Sequence, residues 1–400
     1  MARLTLFIAL LPSLVLAQDL GVPTAWREFN NSRLFAERVS IAKSAIDTIL
    51  PQLDTSTAQF NGIGYWQSAN VFASMANFDH LANSTTYKDQ VIDGLTTAWK
   101  LYTNFDLNLV SSSISRNIVY RWWATAAYYA HRAYGDVTML SMAVTTWKHV
   151  SNYVVTAADA ASGTQPNKDF KIVSTCYGET MAGGVFWRPT SDDTGINSIT
   201  TGLYTTLSAF LAETTGNATY TNAAILSAKW IQNLQISDSG IILDGVSSED
   251  CTRTAASWLF TYNSGKYLEG LSVLKDVTGA AIWKTLMTNI TAAAVKSPVW
   301  QGSNGIITEG ASKTSNNDGV GFKAIFIRGL DEVSARSSDN SKLQILIHSY
   351  NDVQYNALLE LAANGTSYSP SWPGPAQGYT TWGQMAALDV MVTAINTNSP

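Results

Sequence analysis

Apolar and polar positions alternate with helical spacing through most of the chain. Phe35, Val39, Ala42, Ile46 and Ile49 recur at three- and four-residue steps, and Pro51 ends that run. A polar loop with Asn61-Gly62 and Gly64 leads to Tyr65-Trp66 and a second run through Val71, Phe72, Met75 and Phe78. A short polar turn follows, and Tyr87 opens an amphipathic run through Trp99 to Leu101. The same order returns further on: the turn at Leu81–Tyr87 has counterparts at Glu213–Tyr220 and Asp276–Trp283, with looser copies at Tyr134–Met139 and Arg336–Leu343. Turns recurring every ~50–80 residues indicate repeated helical hairpins. The pattern predicts twelve helices, at 25–50, 66–82, 87–103, 117–134, 137–157, 196–215, 219–236, 259–278, 280–296, 318–334, 339–362 and 380–396.

Alternate helices differ in character. Residues 196–215, 259–278 and 380–396 are nearly apolar all round, as helices covered on both sides are, whereas 219–236 and 339–362 keep a polar face. Six hairpins without a linker of disordered composition predict one closed ring. The expected fold is all-α: an (α/α)6 barrel of six helical hairpins forming a single domain over 18–400, with short β-like inserts at one end. The inserts are 160–195 and 237–258, with strand-like pieces at Val185-Phe186-Trp187 and Ile241-Ile242-Leu243. Each insert carries one of the two cysteines, Cys176 and Cys251. A bridge between them would tie the inserts together over one end of the ring. Long loops gathered at one end of a rigid scaffold are where function usually sits.

Composition narrows the setting. Of 400 residues 46% are hydrophobic, enough for a large core, and only 14% are charged, well below the usual quarter. A net charge of -5 speaks against nucleic acid as a partner. Arg3, the apolar run Leu4–Leu16 and the small-residue site Val15-Leu16-Ala17 read as a secretory signal peptide over 1–17, too short to span a bilayer. The polar end Asn396–Pro400 lacks the tail a glycolipid anchor needs, so a secreted, extracellular, monomeric protein is expected. Five Asn-x-Ser/Thr acceptors, at Asn30, Asn83, Asn217, Asn289 and Asn364, fit glycosylation on that route, and the cysteine pair fits a disulfide.

Candidate chemistry is sparse. The four histidines are scattered through helices, no metal-binding or phosphate-cradling motif occurs, and no Gly-x-Ser-x-Gly elbow supports Ser-His-Asp chemistry. No metal or cofactor is therefore expected. Aromatic residues are abundant, with 13 tryptophans and 17 tyrosines. Most will be core. Trp66, Trp122, Trp123, Trp187 and Tyr262, however, fall at the starts of inner helices or on the inserts, where flat rings could stack on the apolar face of a pyranose. Asn117 and Asn197 are polar neighbours of that shelf, and an oligosaccharide or polysaccharide is the expected partner. Hydrolysis of a glycoside needs two carboxyl groups, one protonated and one ionised.

Five segments stand together in order: Gly184-Val185-Phe186-Trp187-Arg188 after Cys176, Leu243-Asp244-Gly245 before Cys251, Phe260-Thr261-Tyr262-Asn263-Ser264-Gly265, Asn317-Asp318 with Phe322–Leu330, and Gly383–Leu388. They resemble segments of glycoside hydrolase family 76, the endo-α-1,6-mannanases. The resemblance runs in order from about residue 65 to 390 and implies the barrel fold and action on mannan. It also implies an Asp-Asp pair after an asparagine and just before two aromatics. In Asn117-Ile118-Val119-Tyr120-Arg121-Trp122-Trp123 that frame is present, but Ile118 and Val119 stand where the acids belong. No Asp or Glu lies between Leu107 and Gly135. Aliphatic side chains can neither protonate a leaving oxygen nor attack an anomeric carbon.

Substitute carboxylates are Asp318, which could equally be a helix cap, and Asp192-Asp193, whose more ordinary reading is a solvated turn. Asp244 and Glu179 lie on the inserts, with solvated loops as the alternative; Asp106 precedes the missing site; Asp79 and Glu269 fall towards the far end and read as structural. Two functions follow. One is a secreted hydrolase with different carboxylates, acting on cell-wall α-mannan or a related glycan. The other is a non-catalytic relative that keeps the groove to bind such a glycan.

Overall fold

The computed structural model describes residues 19–106 and 118–397. Its helices are α1 (Phe35–Ile49), α2 (Tyr65–Leu81), α3 (Lys88–Leu101), α4 (Ile118–Tyr134), α5 (Val137–Ser151), α6 (Ala157–Ser162), α7 (Ser198–Thr215), α8 (Ala218–Leu234), α9 (Thr261–Thr278), α10 (Ala281–Ala294), α11 (Gly319–Ala335), α12 (Ser341–Ala357) and α13 (Thr381–Thr393). Helices α2, α4, α7, α9, α11 and α13 pack in that order, and α13 closes back on α2. The outer helices lie over the seams: α3 against α2 and α4, α8 against α7 and α9, α12 against α11 and α13. This is the expected (α/α)6 barrel.

Burial separates the two rings as the hydrophobic pattern does. Every residue of α9 from Thr261 to Leu274 is buried, whereas α3 buries only Val91, Gly94, Leu95 and Ala98. Side chains set several helix starts. Asn197 accepts the Thr200 amide at 3.1 Å, and Thr380 accepts that of Gly383 at 3.2 Å. One inner contact is unusually close. A Cβ on Gly265 would stand 2.5 Å from the Phe326 Cα, and one on Gly329 would stand 2.2 Å from the Gly265 carbonyl oxygen. Only glycine lets α9 and α11 approach this far, and one turn nearer the helix starts that approach stacks Tyr262 on Phe322 at 3.7 Å.

The pattern misplaced some details. Residues 25–34 are irregular rather than helical, because Trp26 turns inward and packs on Tyr350 at 5.2 Å. The helix expected over 137–157 ends at Ser151, and a separate α6 starts only at Ala157, where its cap Thr156 accepts the Asp159 amide at 3.0 Å. Val185, Phe186 and Ile242 form single bridges, not strands. A short hairpin before α2 pairs β1 (Leu53–Asp54) with β2 (Gln59–Phe60), and the paired strands of the inserts are β3 (Thr175–Cys176) with β4 (Glu179–Thr180) and β5 (Gly195–Asn197) with β6 (Gly245–Ser247). Because β5 and β6 belong to different inserts, their ladder joins the two, and the Cys176–Cys251 disulfide joins them again. Both inserts lead into inner-helix N-termini, those of α7 and α9.

The proposed leader 1–17 and Asn117 lie outside the described residues. Among the described residues no helix is long and apolar enough to cross a membrane. Asn30, Asn83, Asn217 and Asn364 are exposed, while Asn289 is half-buried in the middle of α10.

Candidate functional site

The N-terminal ends of the inner helices carry a connected aromatic cluster. Trp66, near the start of α2, lies 5.6 Å from Trp122 of α4 and 6.1 Å from Phe322 of α11. Phe322 stacks on Tyr262 of α9 and lies 5.2 Å from Phe260, the residue just before that helix. Phe260 is 6.3 Å from Trp258. Exposure rises along this series. Trp122, Phe322 and Tyr262 are 2%, 7% and 8% exposed, Trp66 and Phe260 are half-buried, and Trp258 is 50% exposed. The buried rings form a floor, and the half-buried and exposed ones form its accessible surface.

The expected shelf is therefore revised. Trp66, Trp122 and Tyr262 come together, but Trp123 does not join them. Fully buried, it stacks on Tyr65 at 4.5 Å and on Phe105 at 5.8 Å, facing the seam towards the outer ring. Adjacent residues on a helix point about 100° apart, so Trp122 and Trp123 cannot share one shelf. Trp187 lies on the insert with the Arg188 guanidinium 4.2 Å from its ring. Asn197 caps α7 and pairs with Gly245 across the β5–β6 ladder. Phe322, Phe260 and Trp258 were missed; the every-second-residue run Trp258-Phe260-Tyr262 ahead of a helix was the signal that could have found the latter two.

The carboxyls occupy distinct settings. Asp318 is exposed, and its side chain makes no cap for α11; it accepts the Trp66 indole N–H at 3.0 Å instead. Beside it Gln67 and Asn316 exchange two amide hydrogen bonds of 2.9 and 2.7 Å, so the loop before α11 is clasped to the start of α2. Asp244 is not a solvated loop residue. It is 6% exposed, accepts from the Asn263 amide at 3.2 Å, and burial pushes its carboxyl up to about 6. Its backbone carbonyl accepts the Ser198 amide at 2.7 Å, which sets it between the starts of α7 and α9.

Glu309, which the sequence did not single out, caps α9 from 48 residues away by accepting the Thr261 amide at 3.0 Å and the Thr261 hydroxyl. Burial pushes Glu309 up to about 7 and the nearby Lys323 down to about 7. Asp193 closes its own loop: its carboxylate accepts the Arg188 amide at 3.1 Å, and its backbone carbonyl accepts the Lys168 ammonium at 2.9 Å. Asp192 is exposed on the same turn. Asp79 accepts the Thr86 and Tyr87 amides and the Tyr134 hydroxyl, each at 2.8 Å, which is a structural duty at the far end. Glu269 is sealed inside the barrel against Lys266 at 2.5 Å and the Tyr129 hydroxyl.

Such a site can hold an extended, uncharged ligand by ring stacking beside exposed and half-buried carboxyls. The family profile of glycosyl hydrolase family 76 matches residues 167–400. The chain belongs to glycosyl hydrolase family 76. Among curated family relatives, mannan endo-1,6-alpha-mannosidase DCW1 of Candida glabrata is 29% identical over 231 residues, 54% of this chain and 50% of the relative. Its Saccharomyces cerevisiae counterpart is 28% identical over 239 residues, 56% and 51% of the two chains. The chain thus spans about half the length of the curated relatives it matches. Among solved structures, the family 76 α-1,6-mannanase GH76A of Salegentibacter superposes with a TM-score of 0.75 over 90% of this chain and 100% of that one, at 14% identity. Dfg5 of Chaetomium thermophilum, solved with glucosamine, gives 0.71 over 94% of each chain at 15% identity. These similarities at low identity establish the shared helical barrel.

Proposed function

We propose that this family 76 protein is secreted and engages cell-wall α-mannan, an α-1,6-linked mannose chain lying along the aromatic cluster at the inner-helix N-termini. The observation that carries this reading is the graded cluster itself, with buried Trp122, Phe322 and Tyr262 supporting the accessible Trp66 and Phe260. Mannose has an apolar face that stacks on such rings, and its hydroxyls need polar neighbours such as Asp318, which adjoins Trp66. A form of the Salegentibacter enzyme inactivated by exchanging two consecutive aspartates for alanine was solved with α-1,6-mannotetraose, so in that protein binding outlasts the loss of the acids. In this chain Ile118 and Val119 stand where the resemblance places such a pair. Binding without the usual hydrolysis is the reading this combination favours. The test is calorimetric titration of the purified protein with α-1,6-manno-oligosaccharides. Saturable binding is expected, and none at millimolar sugar would sink the proposal.

One observation favours turnover as a second reading. Asp244 keeps its proton to a higher pH than an ordinary carboxyl, as a general acid must, while the exposed Asp318 stands at the groove. Reducing-end release from α-mannan that is lost in both Asp244→Asn and Asp318→Asn would establish hydrolysis by relocated acids. No release after long incubation leaves binding alone.

A further inference from the structure

Of the chain's thirteen tryptophans, Trp258 is the most exposed, at 50%. A lone exposed ring is ordinary on a protein surface; what distinguishes Trp258 is how it is held and what it adjoins. The segment is well fastened. Arg253 bridges to Val246, the Thr254 amide donates to the Gly245 carbonyl at 3.1 Å, and the Ser247 amide donates to that of Thr252 at 2.8 Å. The disulfide ties Cys251, at the turn of this hairpin, to Cys176 of the other insert. The Trp258 amide then donates to the Ala255 carbonyl at 2.9 Å. A braced hairpin thus presents a tryptophan to solvent.

Trp258 is also continuous with the groove. Ring-to-ring steps of 6.3, 5.2 and 6.1 Å run from Trp258 through Phe260 and Phe322 to Trp66. The two tryptophans are joined only through the Phe260 and Phe322 rings, so a ligand stacked on both covers more of the cluster than one held at Trp66 alone. We propose that Trp258 is an outer sugar-stacking platform that makes the groove select longer mannan chains over short ones. The proposal rests on the mannan reading above and deepens it by assigning chain-length preference to one side chain. On this proposal a disaccharide is held at Trp66 alone, whereas a hexasaccharide also covers Trp258.

The experiment compares α-1,6-mannobiose with α-1,6-mannohexaose on wild-type protein, Trp258→Ala and Trp258→Phe, by calorimetry, with thermal unfolding as the control for folding. Loss of one stacked ring is expected to weaken hexaose binding roughly tenfold in Trp258→Ala. Biose affinity should stay unchanged, and Trp258→Phe should recover most of the loss. A purely structural role weakens both sugars alike, and that result overturns the proposal. Hexaose affinity that survives Trp258→Ala overturns it too, while leaving the mannan reading standing. Wild-type protein that binds neither sugar overturns the mannan reading and the platform with it.

Discussion

Glu332 at the C-terminal end of the inner ring and Asp244 with Glu309 at its N-terminal end are held in opposite ways. At the C-terminal end Glu332 lies between Arg132, at 2.8 Å, and Arg336, at 2.7 Å. Arg336 also reaches Glu213 at 2.5 Å and Asp276 at 3.0 Å, so α4, α7, α9 and α11 are laced together by ions. Burial alone would raise the Glu332 carboxyl, yet the two guanidiniums outweigh it and hold the group at about 2. At the N-terminal end burial dominates, and Asp244 and Glu309 stand at about 6 and about 7. Asp331, next to Glu332, is also raised by burial, to about 7, so the shift alone does not separate the ends. What sets the second end apart is that its raised carboxyls flank the start of α9, where the accessible rings lie.

The comparison breaks most visibly at its closed end. Glu332→Gln leaves two guanidiniums facing a neutral amide, and removing one partner of a mostly buried ion network costs about 3–5 kcal/mol. Urea unfolding should show that loss while glycan affinity of the folded fraction stays unchanged. A loss under about 1 kcal/mol would mean the network is merely decorative surface charge.

At the open end the sign reverses. The folded carboxyl of Asp244, at about 6, lies above its unfolded value, so the native state holds the proton more tightly. Its contribution is fully present below the unfolded value and fades as pH rises through about 6, ending about 3 kcal/mol poorer at neutrality. Asp244→Asn keeps the shape without the charge. Its stability relative to wild type should therefore climb between pH 4 and pH 7. Parallel curves for the two proteins would place Asp244 in contact with water after all.

The ring was legible in the sequence because a 3.6-residue period and recurrent polar turns are local signals that twelve helices repeat. The site was legible only in part, since its decisive contacts are long-range. Nothing near Glu309 announces that it caps α9 across 48 residues, or near Asp318 that its partner is an indole 252 residues away. Trp122 and Trp123 look alike in sequence, and only their placement about 100° apart around α4 makes one a groove floor and the other core. Asp244 looked like a loop acid because its burial comes from α7, α9 and the β5–β6 ladder, each contributed by a distant stretch.

Smaller effects sharpen the open end. Trp66→Ala removes the accessible ring over Trp122 and should weaken mannan oligosaccharide binding roughly tenfold. Stability should change less than in Glu332→Gln, because Trp66 is only half-buried. Equal binding by wild type and variant would move the ligand off this cluster.

Asp318→Asn should have the smallest effect, and it separates two roles for one carboxylate. The Trp66 indole donates to Asp318 at 3.0 Å, and an amide oxygen can accept the same N–H with less strength. If the carboxylate only orients the ring, the exposed pair is worth about 0.5–1 kcal/mol, and affinity should fall only about two- to fivefold. Trp66→Phe should then abolish the difference, since phenylalanine has no N–H for either side chain to accept. A much larger loss in Asp318→Asn, persisting in the Trp66→Phe background, would show that the carboxylate meets the sugar itself. Measuring affinity across these four proteins, wild type, each single variant and the double, assigns Asp318 to the ring or to the ligand by the size of the coupling.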